Sequence, residues 1–298
     1  MDRVDAVIAG VNKAGTTSLF VSLAEHPDVV ASAIKETRYF LPARYGEPLE
    51  PRSVWDGYFA AAPDRPVRLE ATPSYFYGGA AVARAMAEVL DRPRVVLVLR
   101  EPVARAISFF EYQKVRLRFP PELTIEAYLA EADALGDAVG RSPGTEKYMA
   151  VAGGRYADWL PEWWETLGRD AVRIVWFDDL VADGAAVVRD VAAWLGLDPE
   201  RVADAGLRSE NRTTGFRHAR LQRFALWAND TAERWLRRVP GFKRWLRSIY
   251  FRVNGKARTG PAVSDATRAE LARRFAAPNA RLASLLDDAG LERPAWLR

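Results

Sequence analysis

Gly10-Val11-Asn12-Lys13-Ala14-Gly15-Thr16-Thr17 follows the apolar run Val7-Ile8-Ala9 and precedes the helix-like Ser18-Leu19-Phe20-Val21-Ser22-Leu23-Ala24. A strand, a loop bounded by glycines and a helix, in that order, form the usual phosphate cradle of α/β proteins. Glycines let the backbone curl until its N–H groups converge on an anion, and the helix N-terminus adds partial positive charge. Lys13, Ala14, Gly15, Thr16, Thr17 and Ser18 are therefore candidate anion-binding residues.

The loop has the glycine spacing of the nucleotide-triphosphatase loop, which puts lysine directly after its second glycine. Here Thr16 holds that position and the lysine sits inside the loop. The expected ligand is phosphate-like without being the γ-phosphate of ATP.

Three further apolar runs, Val67–Leu69, Arg94–Leu99 and Val172–Phe177, join Ala6–Ala9 as expected buried parallel strands. Helical segments are predicted over Ala80–Leu90, from Pro102 to about Val115, over Ala152–Leu167, Ala185–Leu195 and Ser264–Asp288. In the last of these Leu271, Phe275, Leu282 and Leu286 are expected core positions. Strands alternating with helices predict an α/β protein whose central parallel sheet is flanked by helices, with its site at the C-terminal strand edge. There the Lys13 loop, Glu70-Ala71-Thr72 and Arg100 would converge.

The 298 residues are 49% hydrophobic and 28% charged, enough for one large core. Net charge is +4 with 43 basic residues, which suits an anionic ligand without implying nucleic acid. Zero cysteines exclude disulfides, thiolate metal sites and a cysteine nucleophile, and two histidines, His26 and His218, are too few for an ordinary histidine metal cluster. The start Met1-Asp2-Arg3-Val4-Asp5 has no signal-peptide pattern, and no long apolar window follows, so a soluble cytoplasmic protein is expected.

A second constellation is Leu99-Arg100-Glu101-Pro102-Val103-Ala104-Arg105-Ala106-Ile107-Ser108. Arg100 would end a strand, Pro102 would open a helix, and Ser108 would lie about two turns along it. An arginine at a strand end and a helical serine can grip one phosphate from two sides.

Together, G-x-x-K-x-G-T-T-S-L and the later L-R-E-P-x-x-R-x-x-S resemble the two nucleotide-binding signatures of sulfotransferases. Those enzymes use 3'-phosphoadenosine-5'-phosphosulfate (PAPS). The resemblance covers most of the chain and is closest to the heparan-sulfate-type and related bacterial branch. His26-Pro27 with Lys35-Glu36-Thr37-Arg38-Tyr39-Phe40 is similar to that branch's "HP…KE…FF" segment. Leu69-Glu70-Ala71-Thr72-Pro73-Ser74-Tyr75-Phe76 is similar to its "EKTPAYF", and Gly255-Lys256-Ala257-Arg258 to its basic loop near the C-terminus.

The resemblance implies one sulfotransferase domain over 1–298, with a sheet like that of phosphate-loop nucleotide kinases. It implies PAPS as donor, with the 5'-phosphosulfate held by Lys13 through Thr17 and Ser18. The 3'-phosphate would be held by Arg100 and Ser108, with Lys256, Ala257 and Arg258 closing over it and Phe216 near the adenine. Glu36 would be the general base, Lys13 would neutralise the leaving phosphate oxygen, and no metal would be required. Glu70, Thr72 and Tyr75 are tentative acceptor contacts. The acceptor would be a hydroxyl, or less readily an amine, of a carbohydrate, glycolipid or natural product.

The chain departs from the branch in two places. Ala71 stands where the glycan-modifying relatives have lysine. A basic-aromatic insertion over about 219–253 replaces the disulfide-pinned loop of those relatives. From Arg234 to Arg258 there are nine lysines or arginines and no acidic residue, interleaved with Trp235, Phe242, Trp245, Tyr250 and Phe251. A solvated helical face, peripheral contact with an anionic membrane, and a lid over acceptor or partner are all open for it. No nucleic-acid motif accompanies it. A phosphate-loop kinase and a non-enzymatic nucleotide-binding scaffold are the alternative functions.

Overall fold

The computed structural model describes residues 3–90, 93–202, 215–216, 255–256 and 263–298. Five strands build one parallel sheet: β1 (Val4–Gly10), β2 (Val29–Ala31), β3 (Val67–Ala71), β4 (Pro93–Leu99) and β5 (Val172–Trp176). Their order is β2-β3-β1-β4-β5, so β1 lies at the centre between β3 and β4. A parallel sheet is covered on both faces, and β1, β3 and β4 are accordingly almost wholly buried along their lengths. β4 therefore reads as an unbroken apolar run over 95–99, whereas β1 carries the buried Asp5 and β3 the buried Arg68 and Glu70.

The flanking helices are α1 (Thr16–Ala24), α2 (Arg52–Gly57), α3 (Gly79–Val89), α4 (Pro102–Val115), α5 (Ile125–Leu135), α6 (Leu160–Leu167), α7 (Phe177–Ala182), α8 (Gly184–Trp194) and α9 (Asp265–Asp288). The α4 start is fixed twice. Pro102 occupies the first turn, and the Glu101 carboxylate accepts from the amides of Val103 at 2.8 Å and Ala104 at 2.6 Å. Ser264 caps α9 by accepting from the Thr267 amide at 3.1 Å. Leu271, Phe275, Leu282 and Leu286 are all buried, as the periodicity predicts.

The structure departs from the expected elements in a few places. β2, α2, α5 and α7 were not anticipated, and Phe177, expected to close a strand, instead opens α7. The single helix expected over Ala152–Leu167 is two 3-10 turns, Ala152–Gly154 and Tyr156–Asp158, followed by α6. The reason is the glycine pair Gly153-Gly154. A Cβ on Gly154 would stand 2.7 Å from the Phe275 ring, and one on Gly153 would stand 3.0 Å from the Arg105 guanidinium. The turn is thus the seat on which α9 and α4 close. Arg105 itself is fully buried and donates to the carbonyls of Met149, at 2.8 Å, and Ala150.

Among the described residues no helix is long and apolar enough to cross a membrane. Nor does any group of three or more histidines, aspartates or glutamates gather as a metal site. The insertion at about 219–253 lies outside the described residues, as do residues 217–254 and 257–258 of the basic-aromatic region.

Candidate active site

The loop leaving β1 turns through left-handed backbone at Lys13 (φ 71°) and Gly15 (φ 80°) and enters α1 at Thr16. Gly15 is required there twice over. Its φ suits glycine, and a Cβ would meet Leu180 Cδ2 at 3.0 Å and the Phe177 ring at 3.2 Å. No side chain caps α1, the condition in which a helix N-terminus can receive an anion.

Lys13 lies under the ring of Tyr112, its ammonium 4.8 Å from the centroid. Burial, reinforced by the nearby Arg100 charge, pushes Lys13 down to about 8. Two cations drawn together in a low-dielectric loop are an environment that a bound dianion would relieve. Arg100 follows the last residue of β4 and donates from Nη1 to the Lys13 carbonyl at 2.9 Å. Its guanidinium carbon sits 4.4 Å from the centroid of Phe177, and burial lowers its pKa. The Arg100 backbone is fixed from behind by Tyr156, whose hydroxyl donates to the Arg100 carbonyl at 2.6 Å. Ser108 is half-buried two turns into α4. Tyr112 follows it by four residues, which puts both on one helix face.

The segment after β2 carries Glu36. Its carboxylate is 44% exposed and accepts from Lys35 Nζ at 3.1 Å. Glu36 and Arg38 both hold left-handed backbone, φ 64° and φ 61°. Beneath them Glu70, Thr72 and Tyr75 are buried at 0%, 1% and 0% exposure. These three tentative acceptor contacts form a floor under the Glu36 segment, and their polar atoms bind one another and that segment. Glu70 Oε1 accepts from Thr72 Oγ1 at 2.6 Å, from the Thr37 amide at 3.0 Å and from Thr37 Oγ1 at 3.2 Å. Tyr75 receives the Phe40 amide at 3.2 Å.

Tyr112 joins the two halves of the site. Its ring covers Lys13, and burial raises the pKa of its hydroxyl, with the charge of Arg116 opposing and that of Glu36 adding to the shift. Sequence reasoning missed Tyr112, although its four-residue spacing from Ser108 was the available signal. It also missed Phe177 and Tyr156, which support Arg100 from other parts of the chain.

Gly215–Phe216 and Gly255–Lys256 form two short antiparallel strands, β6 and β7, with Gly215 opposite Lys256 and Phe216 opposite Gly255. Phe216, expected near adenine, and Lys256, expected over the 3'-phosphate, thus lie on paired strands, each opposite a glycine. Ala257 and Arg258 lie outside the described residues.

A family model, "Sulfotransferase domain", matches residues 3–223. The chain belongs to the sulfotransferase domain family. Within that family it is 31% identical over 211 residues to heparan sulfate glucosamine 3-O-sulfotransferase 6 of Mus musculus, covering 71% of this chain and 57% of that protein. It is 25% identical over 230 residues to the bifunctional heparan sulfate N-deacetylase/N-sulfotransferase 1 of Caenorhabditis briggsae, covering 73% of this chain and 25% of that protein. The chain thus spans between a quarter and just over half the length of these curated relatives. A sulfotransferase crystal structure from Alicyclobacillus acidocaldarius shares the fold, with a TM-score of 0.70 at 20% identity and full coverage of both chains. The sulfotransferase fold expected from the two signatures is therefore the fold observed.

Proposed function

We propose that this protein transfers the sulfuryl group of PAPS to a hydroxyl, or less readily an amine, of a carbohydrate, glycolipid or natural-product acceptor. The observation that carries the reading is the junction of three sequence-distant parts. Arg100 bonds the Lys13 carbonyl, Lys13 lies under Tyr112, and the Glu36 segment is hydrogen-bonded to the end of β3, in register with β1 just ahead of the Lys13 loop. A donor-phosphate cradle and a half-exposed carboxylate thereby share one edge of the sheet.

In this reading the loop from Lys13 to Thr17, with Ser18, holds the 5'-phosphosulfate, and Arg100 and Ser108 hold the 3'-phosphate. Phe216 lies against the adenine, and Lys256, Ala257 and Arg258 close over the nucleotide. PAPS supplies the activated sulfuryl group when bound. Glu36 takes the acceptor's proton as the acceptor oxygen bonds to sulfur. The sulfur–oxygen bond to the 5'-phosphate breaks, its electron pair leaves on the phosphate oxygen, and Lys13 neutralises the charge that appears there. Catalysis is then mostly positioning and electrostatics.

One domain over 1–298 is supported by a single core cluster that, among the described residues, has members from Ala6 in β1 to Leu297. Its last helix, α9, returns to pack on α4. Residues 255–256 of the basic stretch Arg234–Arg258 pair with 215–216. Peripheral contact of the stretch with an anionic membrane is the version that would suit a glycolipid acceptor. Flotation with anionic vesicles tests that version, and absence of binding removes it.

Calorimetry with 3'-phosphoadenosine-5'-phosphate (PAP), with ATP and 5'-AMP as magnesium-free controls, tests the donor assignment. Tight binding that depends on the 3'-phosphate is expected. Binding no tighter than that of ATP refutes the reading.

A further inference from the structure

Three consecutive amides of the Glu36 segment are clipped to three consecutive residues at the end of β3. The Glu36 amide donates to the Ala71 carbonyl at 2.9 Å, the Thr37 amide to Glu70 Oε1 at 3.0 Å, and the Arg38 amide to Thr72 Oγ1 at 3.3 Å. The central residue is tied a second time through its hydroxyl, 3.2 Å from the same carboxylate oxygen. Glu70 and Ala71 are themselves in register with Val7 and Ile8 of β1, just ahead of the donor loop. The clip therefore fastens the Glu36 segment to β3 and, through it, to β1 at the middle of the sheet.

Two features say that the clip does more than fill space. First, Glu36 and Arg38 hold left-handed backbone without being glycine, a conformation costing roughly 1–2 kcal/mol per residue. Such strain persists only where the surroundings over-determine it. Second, the anchor is a carboxyl group with no exposure, and its second oxygen, Oε2, has no hydrogen-bond partner among the described residues. A buried carboxyl group with an unmatched oxygen is an expensive way to occupy volume, and an apolar side chain would stabilise the core more. What the carboxyl group offers is a single acceptor oxygen, Oε1, that gathers three donors at one point.

We infer that Glu70 is a positioning residue for sulfuryl transfer: from under the segment it fixes the Glu36–Thr37–Arg38 backbone, and through it the Glu36 carboxylate. It touches neither donor nor acceptor, and the inference rests on Glu36 being the base. Glu70 sets where that base stands relative to Lys13.

The test compares Glu70→Leu, Glu70→Gln, Glu36→Gln and the double variant Glu36→Gln/Glu70→Leu. PAP affinity reports the fold and the donor site, and turnover of PAPS with water as acceptor reports the base. Glu70→Leu is expected to bind PAP within about threefold of the native protein while turning over about tenfold slower or worse. Glu70→Gln, which keeps an acceptor oxygen, regains about threefold or more of that loss. The loss disappears in the Glu36→Gln background, because a residue that acts only through Glu36 has nothing left to position. A Glu70→Leu variant that turns over normally, or the same full loss without Glu36, overturns the inference.

Should Glu70→Leu fail to fold, Thr37→Val removes the hydroxyl arm at a half-exposed residue. A loss of about threefold, again only when Glu36 is present, is expected. A native protein that neither binds PAP nor turns over PAPS sinks the sulfotransferase reading instead. The clip is then read by hydrogen exchange at amides 36–38. Exchange about tenfold faster in Glu70→Leu supports it and unchanged exchange overturns it.

Discussion

Arg100 donates from Nη1 to the carbonyl of Lys13 at 2.9 Å, tying the end of β4 to the loop that leaves β1. The guanidinium thus shapes the loop with one nitrogen while its remaining donors are available for a ligand. Arg100→Ala is expected to weaken PAP binding by about 10–100-fold, the worth of a charged hydrogen-bonded contact. The loss for 5'-AMP should be much smaller. Calorimetry with both nucleotides decides the matter, since equal losses would mean that Arg100 serves only to hold the loop.

Lys13 titrates near 8 in the free protein because burial and Arg100 both disfavour its charge. A phosphate bound beside it favours the charged form and raises the pKa. PAP affinity should therefore be full below about pH 8 and fall as pH climbs through it, by up to about tenfold per pH unit. The same linkage requires proton uptake on binding at about pH 8.5, measurable as a dependence of binding heat on buffer ionisation enthalpy. Binding at that pH with no proton uptake would show that Lys13 does not face the phosphates.

The elements legible in the sequence are those whose signal is local. β1 and β4 read as apolar runs because both faces of the sheet are covered there, β3 and β5 are legible from their remaining apolar residues despite Arg68, Glu70 and Arg173, and α4 is announced by Glu101-Pro102. β2 was not legible because it is three residues long. The Ala152–Leu167 segment misled because its tryptophan spacing is helical, whereas its conformation is set by Phe275 and Arg105 seated on Gly153 and Gly154. The site divides the same way. The Lys13 loop and Arg100 follow from strand ends, and Glu36 was reached only through resemblance. The floor under Glu36 depends on bonds between residues some 33 apart, such as Thr37 to Glu70, and no local pattern encodes them. Left-handed backbone at Lys13, Glu36 and Arg38 was equally hidden, since none of these residue types favours it.

Gly15→Ala tests the loop geometry without touching a charge. Its φ of 80° and a Cβ 3.0 Å from Leu180 predict a loss of roughly 1–2 kcal/mol, or about 2–6 °C in Tm. The displaced Phe177 ring also supports Arg100, so PAP affinity should fall with stability. Gly57→Ala is the control: a Cβ there meets nothing within 4 Å and its φ is ordinary, so no destabilisation is expected. A Gly15→Ala protein with native Tm and native PAP affinity would contradict this account of the turn.

Glu36→Gln removes the proposed base while keeping its size and its backbone clip. PAP affinity should change little, and turnover of PAPS should fall about 100-fold or more, the usual worth of general-base catalysis. Near-native turnover would refute the assignment. Lost PAP binding would instead place Glu36 in the donor site.

Glu70 links the site to stability through pH. Burial raises its carboxyl from 4.5 up to about 7, against the opposing hydrogen bonds from Thr72 and Thr37 and the charge of Lys35. Tyr75 and Tyr58 are the other titratable groups facing it, and both stay protonated through this range. Because the folded state holds this proton more tightly than the unfolded chain, the contribution of Glu70 is fully present below about pH 4.5 and is lost as pH rises to about 7. The loss amounts to about 3 kcal/mol at neutral pH and above. Glu70→Gln cannot lose a proton, so its stability relative to the native protein should improve by about that amount between about pH 4 and about pH 8. Urea unfolding of both proteins at the two pH values measures the difference. A gap that stays constant with pH would mean that Glu70 titrates in the fold as it does in the unfolded chain, its donors fully offsetting its burial.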